Sequence, residues 1–393
     1  MRRLAPIEGL RAWLALWVLV CHAMGFSGYV DDGRLAGVPK LLSEGWLAVD
    51  VFIIVSGFVI FRLLDTREEN FAQFIVRRFF RLYPVYLLLF LLAIPASLLW
   101  IWNIRHAPAY QPAGDVEFFT RFIATEWQNW RLNIPAHLAM LHGLVPDAWF
   151  GQMPTSRMWL GPAWSISLEW QFYLVAPALF PLATSVKTSH RLFLCALCLV
   201  LLSLGHRVEW GIAFLPLHTE FFFVGAASFF LHKWMAESRL KMAGPGLYLT
   251  AVCGGWMLYL LSGKVREFIP LGLWLMFFAL LLEPTGRPEA GWLRPLFVHP
   301  LAQYLGKISY GLYLSHELIL VVMQAALLKW LPQLGQPAHF WLLLGLTLPA
   351  TILASALLHR LIEVPGMKWG RKFADRLGAK TALKPLSSVP ATA

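Results

Sequence analysis

Arg11 and His22 lie inside one apolar run, Glu8-Gly9-Leu10-Arg11-Ala12-Trp13-Leu14-Ala15-Leu16-Trp17-Val18-Leu19-Val20-Cys21-His22. On an α-helix, eleven steps of about 100° return the chain to within roughly 20° of the same face, about 16 Å further along. The two side chains therefore share a stripe. Facing lipid, a central arginine costs about 2.5–3.5 kcal/mol, so the stripe is expected to face the protein interior. The plain alternative is a snorkelling arginine above a structural histidine. An imidazole at such a position both takes and returns a proton near neutral pH, which is the chemistry of a general base.

Further polar residues fall at matching depths. Asp50, in Val49-Asp50-Val51-Phe52, is set to orient the His22 imidazole as the third member of a triad does, or else is a helix N-terminal acid favoured by the macrodipole. Arg78 and Arg81 are one turn apart, so their two guanidinium forks converge on one anion such as the phosphates of a nucleotide-like donor. An ordinary anchor at a membrane surface is the competing explanation. Glu169, Glu220 and His316 lie inside further apolar runs, where each is a structural hydrogen bond by default. So many ionisable groups in one apolar chain imply a polar cavity.

The elements that must position them are membrane spans. The chain of 393 residues is 58% hydrophobic and only 14% charged, whereas soluble domains are about a quarter charged. The fold class is an all-α polytopic membrane protein. About ten transmembrane helices are expected, at roughly 10–28, 45–64, 80–102, 164–184, 192–208, 211–232, 246–263, 268–283, 305–328 and 339–362. Most of the basic residues behind the net charge of +11 fall in connections on one side, so both termini are expected to be cytoplasmic and nucleic acid is not needed as a partner. The first run lacks a small-residue cleavage site and reads as a span rather than a signal peptide. Cys195-x-x-Cys198 sits in an apolar run and reads as packing, and no metal site is expected. The long connection over about 103–163 is extracytoplasmic in this topology and reads as a partly re-entrant lid over the outer mouth or as a loosely ordered interfacial segment. Residues 1–366 form the membrane domain, and the basic tail over 367–393 is expected to be disordered and cytoplasmic.

Together the motifs resemble acyltransferase family 3. The matches are Arg11-x10-His22, the Val-Asp-x-Phe-x-x-x-Ser-Gly-Phe run ending at Phe58, Arg78-x-x-Arg81, and Trp-Ser-x-Ser-x-Glu-x-Gln-Phe-Tyr over 164–173. They continue with Glu-Phe-x-x-x-Gly over 220–225, Gly-x-Ile-Ser-Tyr-x-Leu-Tyr-Leu-x-His over 306–316, and Ile-Glu-x-Pro over 362–365. The chain departs from the pattern at Trp170, where a second glutamate is usual, and at Ser315 and Glu317, where tryptophans often flank the histidine. The resemblance implies a stand-alone O-acyltransferase of the bacterial inner membrane, moving an acetyl group from cytoplasmic acetyl-CoA to a hydroxyl of a glycan or lipid-linked saccharide. It implies His22 as base with Asp50 or Glu169 orienting it; Arg11, Arg78, Arg81 and Tyr83 on the donor; and His316, Tyr313, Glu220 and Trp164 lining the cavity. Oligomeric state is left open, a homodimer included. A proton-coupled exporter of a lipid-linked sugar and a scaffold subunit with a vestigial site are the other functions such groups would fit.

Overall fold

A computed structural model describes residues 4–29, 35–107, 113–151, 155–207, 210–237, 265–282 and 293–382. The described elements are helical, with no strand among them. They run α1 (Ala5–Phe26), α2 (Gly37–Leu42), α3 (Gly45–Thr66), α4 (Phe71–His106), α5 (Ala113–Gln128), α6 (Trp130–Leu138), α7 (Trp164–Thr184), α8 (Thr188–Arg207) and α9 (Thr219–Glu237). After these come α10 (Val265–Leu282), α11 (Arg294–Val298), α12 (Pro300–Lys307), α13 (Ser309–Trp330), α14 (Gln336–Leu358) and α15 (Val364–Ala382).

Six segments among the described residues are long and apolar enough to cross a membrane: α1, α3, α4, Gly161–Thr184, α13 and Gln336–Gly378. The chain is a multi-pass membrane protein. Against the ten expected spans, the apolar parts of α8 and α10 are short, Thr188–Leu201 and Ile269–Leu282. The run at 211–232 becomes a helix only from Thr219, after a 3₁₀ turn at Leu215–His218. The expected span at 246–263 lies outside the described residues. Outward faces are apolar, as lipid requires: Leu91, Leu92 and Leu98 of α4 and Trp341, Leu346 and Leu353 of α14 are all exposed.

Close helix contact relies on small residues. Where α3 crosses α9, a Cβ on Gly57 would stand 2.4 Å from the Phe222 carbonyl oxygen, and one on Gly225 would stand 2.1 Å from that of Ile54. α13 is largely enclosed, with Leu314 and His316 both fully buried.

α4 has 36 residues, about 54 Å at 1.5 Å per residue, well beyond the ~30 Å hydrocarbon layer. Asn70 starts it through a capping box with Gln73. Its first turns carry α15, so the tail expected to be disordered over 367–393 is helical to Ala382, and its remainder lies outside the described residues. Gln73 Nε2 donates to the Ala374 carbonyl at 3.2 Å, Arg77 pairs with Asp375 at 2.7 Å, and Phe80 stacks on Phe373 with centroids 5.5 Å apart. α14 reaches α15 through a π-helical turn, His359–Glu363. There the buried Glu363 accepts from Arg81 at 2.9 Å and is paired with His359 at 2.8 Å.

The long connection folds as α5, α6 and four short 3₁₀ turns up to Ala163. It is pinned to α4 by Tyr86, whose hydroxyl donates to the His137 carbonyl at 3.0 Å. His137 stacks on His142 with centroids 3.9 Å apart, and His142 Nε2 donates to the Ala163 carbonyl at 3.1 Å.

Candidate active site

Two cavities follow the Arg11–His22 stripe. The first, about 160 Å³, lies at the Arg11 end and is lined by Arg11, Arg78, Arg81, Glu169, Ser56 and Tyr173 among others. The second, about 500 Å³, lies at the His22 end and is lined by His22, Trp46, Trp100, Arg157, Trp164 and Glu317 among others. Val49 and Tyr313 line both.

At the His22 end the bonding fixes the tautomers. His316 Nδ1 lies 2.7 Å from the Tyr313 carbonyl oxygen, which can only accept, so Nδ1 carries the proton. In the neutral ring Nε2 is then an acceptor. His22 Nδ1 lies 2.6 Å from that Nε2 and therefore donates to it, and the two ring planes lie within 22° of parallel with centroids 4.8 Å apart. What remains on His22 is the Nε2 lone pair, with no hydrogen bond to another described residue, on a half-buried ring that lines the larger cavity. A ring with one nitrogen held by a partner and the other free can act chemically as a general base. When Nε2 takes a proton, the resulting imidazolium still donates from Nδ1 to His316.

That partner is His316, where the sequence pointed to Asp50 or Glu169. Asp50 is buried beside His218, with Oδ1 3.7 Å from Nδ1, beyond hydrogen-bonding reach, and it lines neither cavity. Glu220 acts electrostatically on Asp50. Glu169 belongs to the smaller cavity: Ser56 donates to its Oε1 at 3.0 Å, and the Tyr173 hydroxyl donates to the same oxygen. Trp164 lines the larger cavity and packs on His218 at 5.7 Å. Tyr313 stands between the cavities, its hydroxyl accepting from Ser165 at 2.9 Å and its ring edge-on to Phe52 at 5.9 Å.

The two arginines of the Arg-x-x-Arg pair both face the smaller cavity but differ in what holds them. Arg81 is engaged by Glu363. Arg78 has a buried Nε without a partner, and its guanidinium lies over the Tyr173 ring at 5.9 Å. A buried cation with unused donors fits an anionic group of a ligand. Arg11 lines the same cavity, whereas Tyr83 does not, stacking instead on Phe79 at 4.4 Å. Tyr173 and Ser56 were not singled out from sequence. Tyr173 lies four positions after Glu169, the helical spacing that brings two side chains together, and that signal was available. Arg157 comes from an irregular segment and had none.

The acyltransferase domain family matches residues 4–360. Acyltransferase MdmB of Streptomyces mycarofaciens is 29% identical over 202 residues, covering 49% of this chain and 43% of its own. The peptidoglycan O-acetyltransferase OatA of Listeria monocytogenes is 24% identical over 406 aligned positions, covering 94% of this chain and 57% of its own. The chain thus spans about half the length of the curated relatives it matches. No solved structure matches it.

Proposed function

Since the chain belongs to the acyltransferase domain family, we propose that it is a membrane O-acyltransferase that moves an acetyl group from cytoplasmic acetyl-CoA to a hydroxyl of an extracytoplasmic or lipid-linked saccharide. The single observation carrying the reaction is the His22–His316 pair, which leaves His22 Nε2 as a lone pair facing a cavity. In the proposed step the acceptor oxygen attacks the thioester carbonyl and its proton passes to Nε2. The new C–O bond forms, the C–S bond breaks, and the proton leaves with the thiol. Transfer through an acetyl-imidazole would use the same nitrogen and the same partner.

The donor's phosphates are assigned to Arg78 and Arg11 at the smaller cavity, an assignment supported by the unpaired buried Nε of Arg78. With both termini cytoplasmic, as the charge distribution indicates, that cavity opens inward and the His22 cavity outward. The thioester arm then passes between them beside Tyr313. A glycan acceptor is supported by the similarity to a peptidoglycan O-acetyltransferase.

The test is acetyl transfer from labelled acetyl-CoA to envelope glycan by membranes carrying the wild type or His22→Ala. The variant is expected to retain its detergent-solubilised fold and to lose transfer by at least about 100-fold. Product formation within a few-fold of wild type would remove His22 as base. Failure of the purified wild type to bind acetyl-CoA would remove the transferase assignment and favour an exporter.

A further inference from the structure

The larger cavity holds a charged group that acyl transfer by His22 leaves unused. Glu317 follows His316 on α13 and lines the same cavity as His22. It stands where the family pattern often has tryptophan, so no family role attaches to it. Its Oε2 is buried and has no hydrogen-bonding partner among the described residues. Leaving such an oxygen unpaired forfeits its hydration, a cost that a ligand donor would remove.

The opposite wall is shaped around this carboxylate. Trp159 has a φ of +62°, an uncommon backbone state for a bulky residue. It is held there by the buried Glu126, whose Oε1 accepts from the Trp159 backbone N–H at 2.7 Å. Two residues before this turn Arg157 lines the cavity with its side chain exposed, close enough to act electrostatically on both His22 and Glu317. Two residues after it Gly161 lies against Glu317, its backbone N–H bonded to the carboxyl group, so closely that a Cβ would stand 2.4 Å from Oε2. One acid and one base therefore line the cavity with the His22 ring, together with Trp46, Trp100 and Trp164. An acid and a base in one chamber suit a neutral molecule bearing several hydroxyls. An anionic acceptor would meet the Glu317 carboxyl group, and a simple alcohol would leave its Oε2 unpaired.

We propose that Glu317 is an acceptor-positioning residue, taking a hydrogen bond from a second hydroxyl of a neutral polyol while the first is presented to His22 Nε2, with Arg157 donating to an oxygen of the same molecule. This rests on the acyl-transfer assignment above. It assigns to Glu317 the choice of which hydroxyl is acylated.

The experiment uses the full-length protein in detergent, labelled acetyl-CoA, and a panel of methyl hexosides paired with analogues lacking one ring hydroxyl. The wild type is expected to prefer one hexoside over its deoxy analogue by at least about tenfold in kcat/KM. In Glu317→Ala this preference collapses towards unity, with KM for the hexoside rising at least about tenfold and kcat falling less. Glu317→Gln, which keeps an acceptor oxygen, recovers part of the preference. A merely structural role would lower activity on both members of a pair equally, so an undiminished preference in Glu317→Ala overturns the proposal. Turnover of acetyl-CoA without transfer to any hexoside also overturns it. Absence of acetyl-CoA turnover in the wild type instead counts against the acyl-transfer assignment itself.

Discussion

An imidazole serves as a base only when its free lone pair points at the proton to be removed, and here a second histidine decides that. His316→Ala should lower kcat by about 100-fold with little change in KM for acetyl-CoA, because His22 Nδ1 loses its acceptor and the ring loses its fixed tautomer. An altered KM with unaltered kcat would show that His316 does not act through His22. Arg78→Ala should raise the KM for acetyl-CoA by about tenfold, since its donors have no protein partner to replace. At this scale the sequence was informative about faces and depths and silent about neighbours. Helical period placed Arg11 and His22 on one stripe, and cavity lining agrees. Which helix stands opposite His22 depends on packing angles that no spacing encodes, so Asp50 and His316, both at suitable depths, could not be told apart.

The elements show why two neighbouring arginines at the start of α4 do different work. Arg81 neutralises Glu363, whose side chain is only 1% exposed, at the π turn joining α14 to α15. Arg77 pairs with Asp375, which is 69% exposed. Removing Arg81 leaves the buried carboxylate with His359 as its remaining close partner, so Arg81→Ala is expected to cost up to about 3 kcal/mol of stability. Cutting the Arg77–Asp375 pair with Asp375→Ala should cost at most about 1 kcal/mol. Thermal unfolding in detergent compares the two, and equal shifts would mean that Glu363 finds another partner. α15 was unreadable because its basic residues resemble a solvated tail; the anchors, Phe373 against Phe80 and Asp375 against Arg77, are visible only once α4 is in place. The spans were legible wherever apolar runs were long, as in α1, α3 and α13. They were least so around residue 215, where a 3₁₀ turn interrupts an apolar stretch without changing its composition.

At the scale of the whole molecule, the long connection that carries Glu126, His137 and His142 ties stability to pH from both sides. Burial holds His142 down at about 4 and His137 well below the ordinary 6.5, so the stability these neutral rings contribute is complete above about pH 6.5 and is lost as pH falls towards 4. Burial pushes Glu126 up to about 8 from 4.5, so its contribution is complete below about 4.5 and is lost as pH rises through 8. Two histidines outweigh one carboxylate between those values. The contribution of these three groups to the melting temperature should therefore rise to about pH 6.5 and decline beyond it. Glu126→Gln should flatten the alkaline side, and a decline that persists unchanged in that variant would assign it to other groups.

The two cavities that meet at Tyr313 and Val49 also bear on the cell's permeability barrier. An enzyme that carries a chemical group through a bilayer along a continuous water-filled bore would short-circuit the proton gradient whenever it stood idle. A phenol ring, held by Ser165 and braced by Phe52, stands between the two chambers, where such a seal would have to be. Vesicles containing Tyr313→Gly should dissipate an imposed proton gradient faster than those containing the wild type, and unchanged dissipation would locate the seal elsewhere.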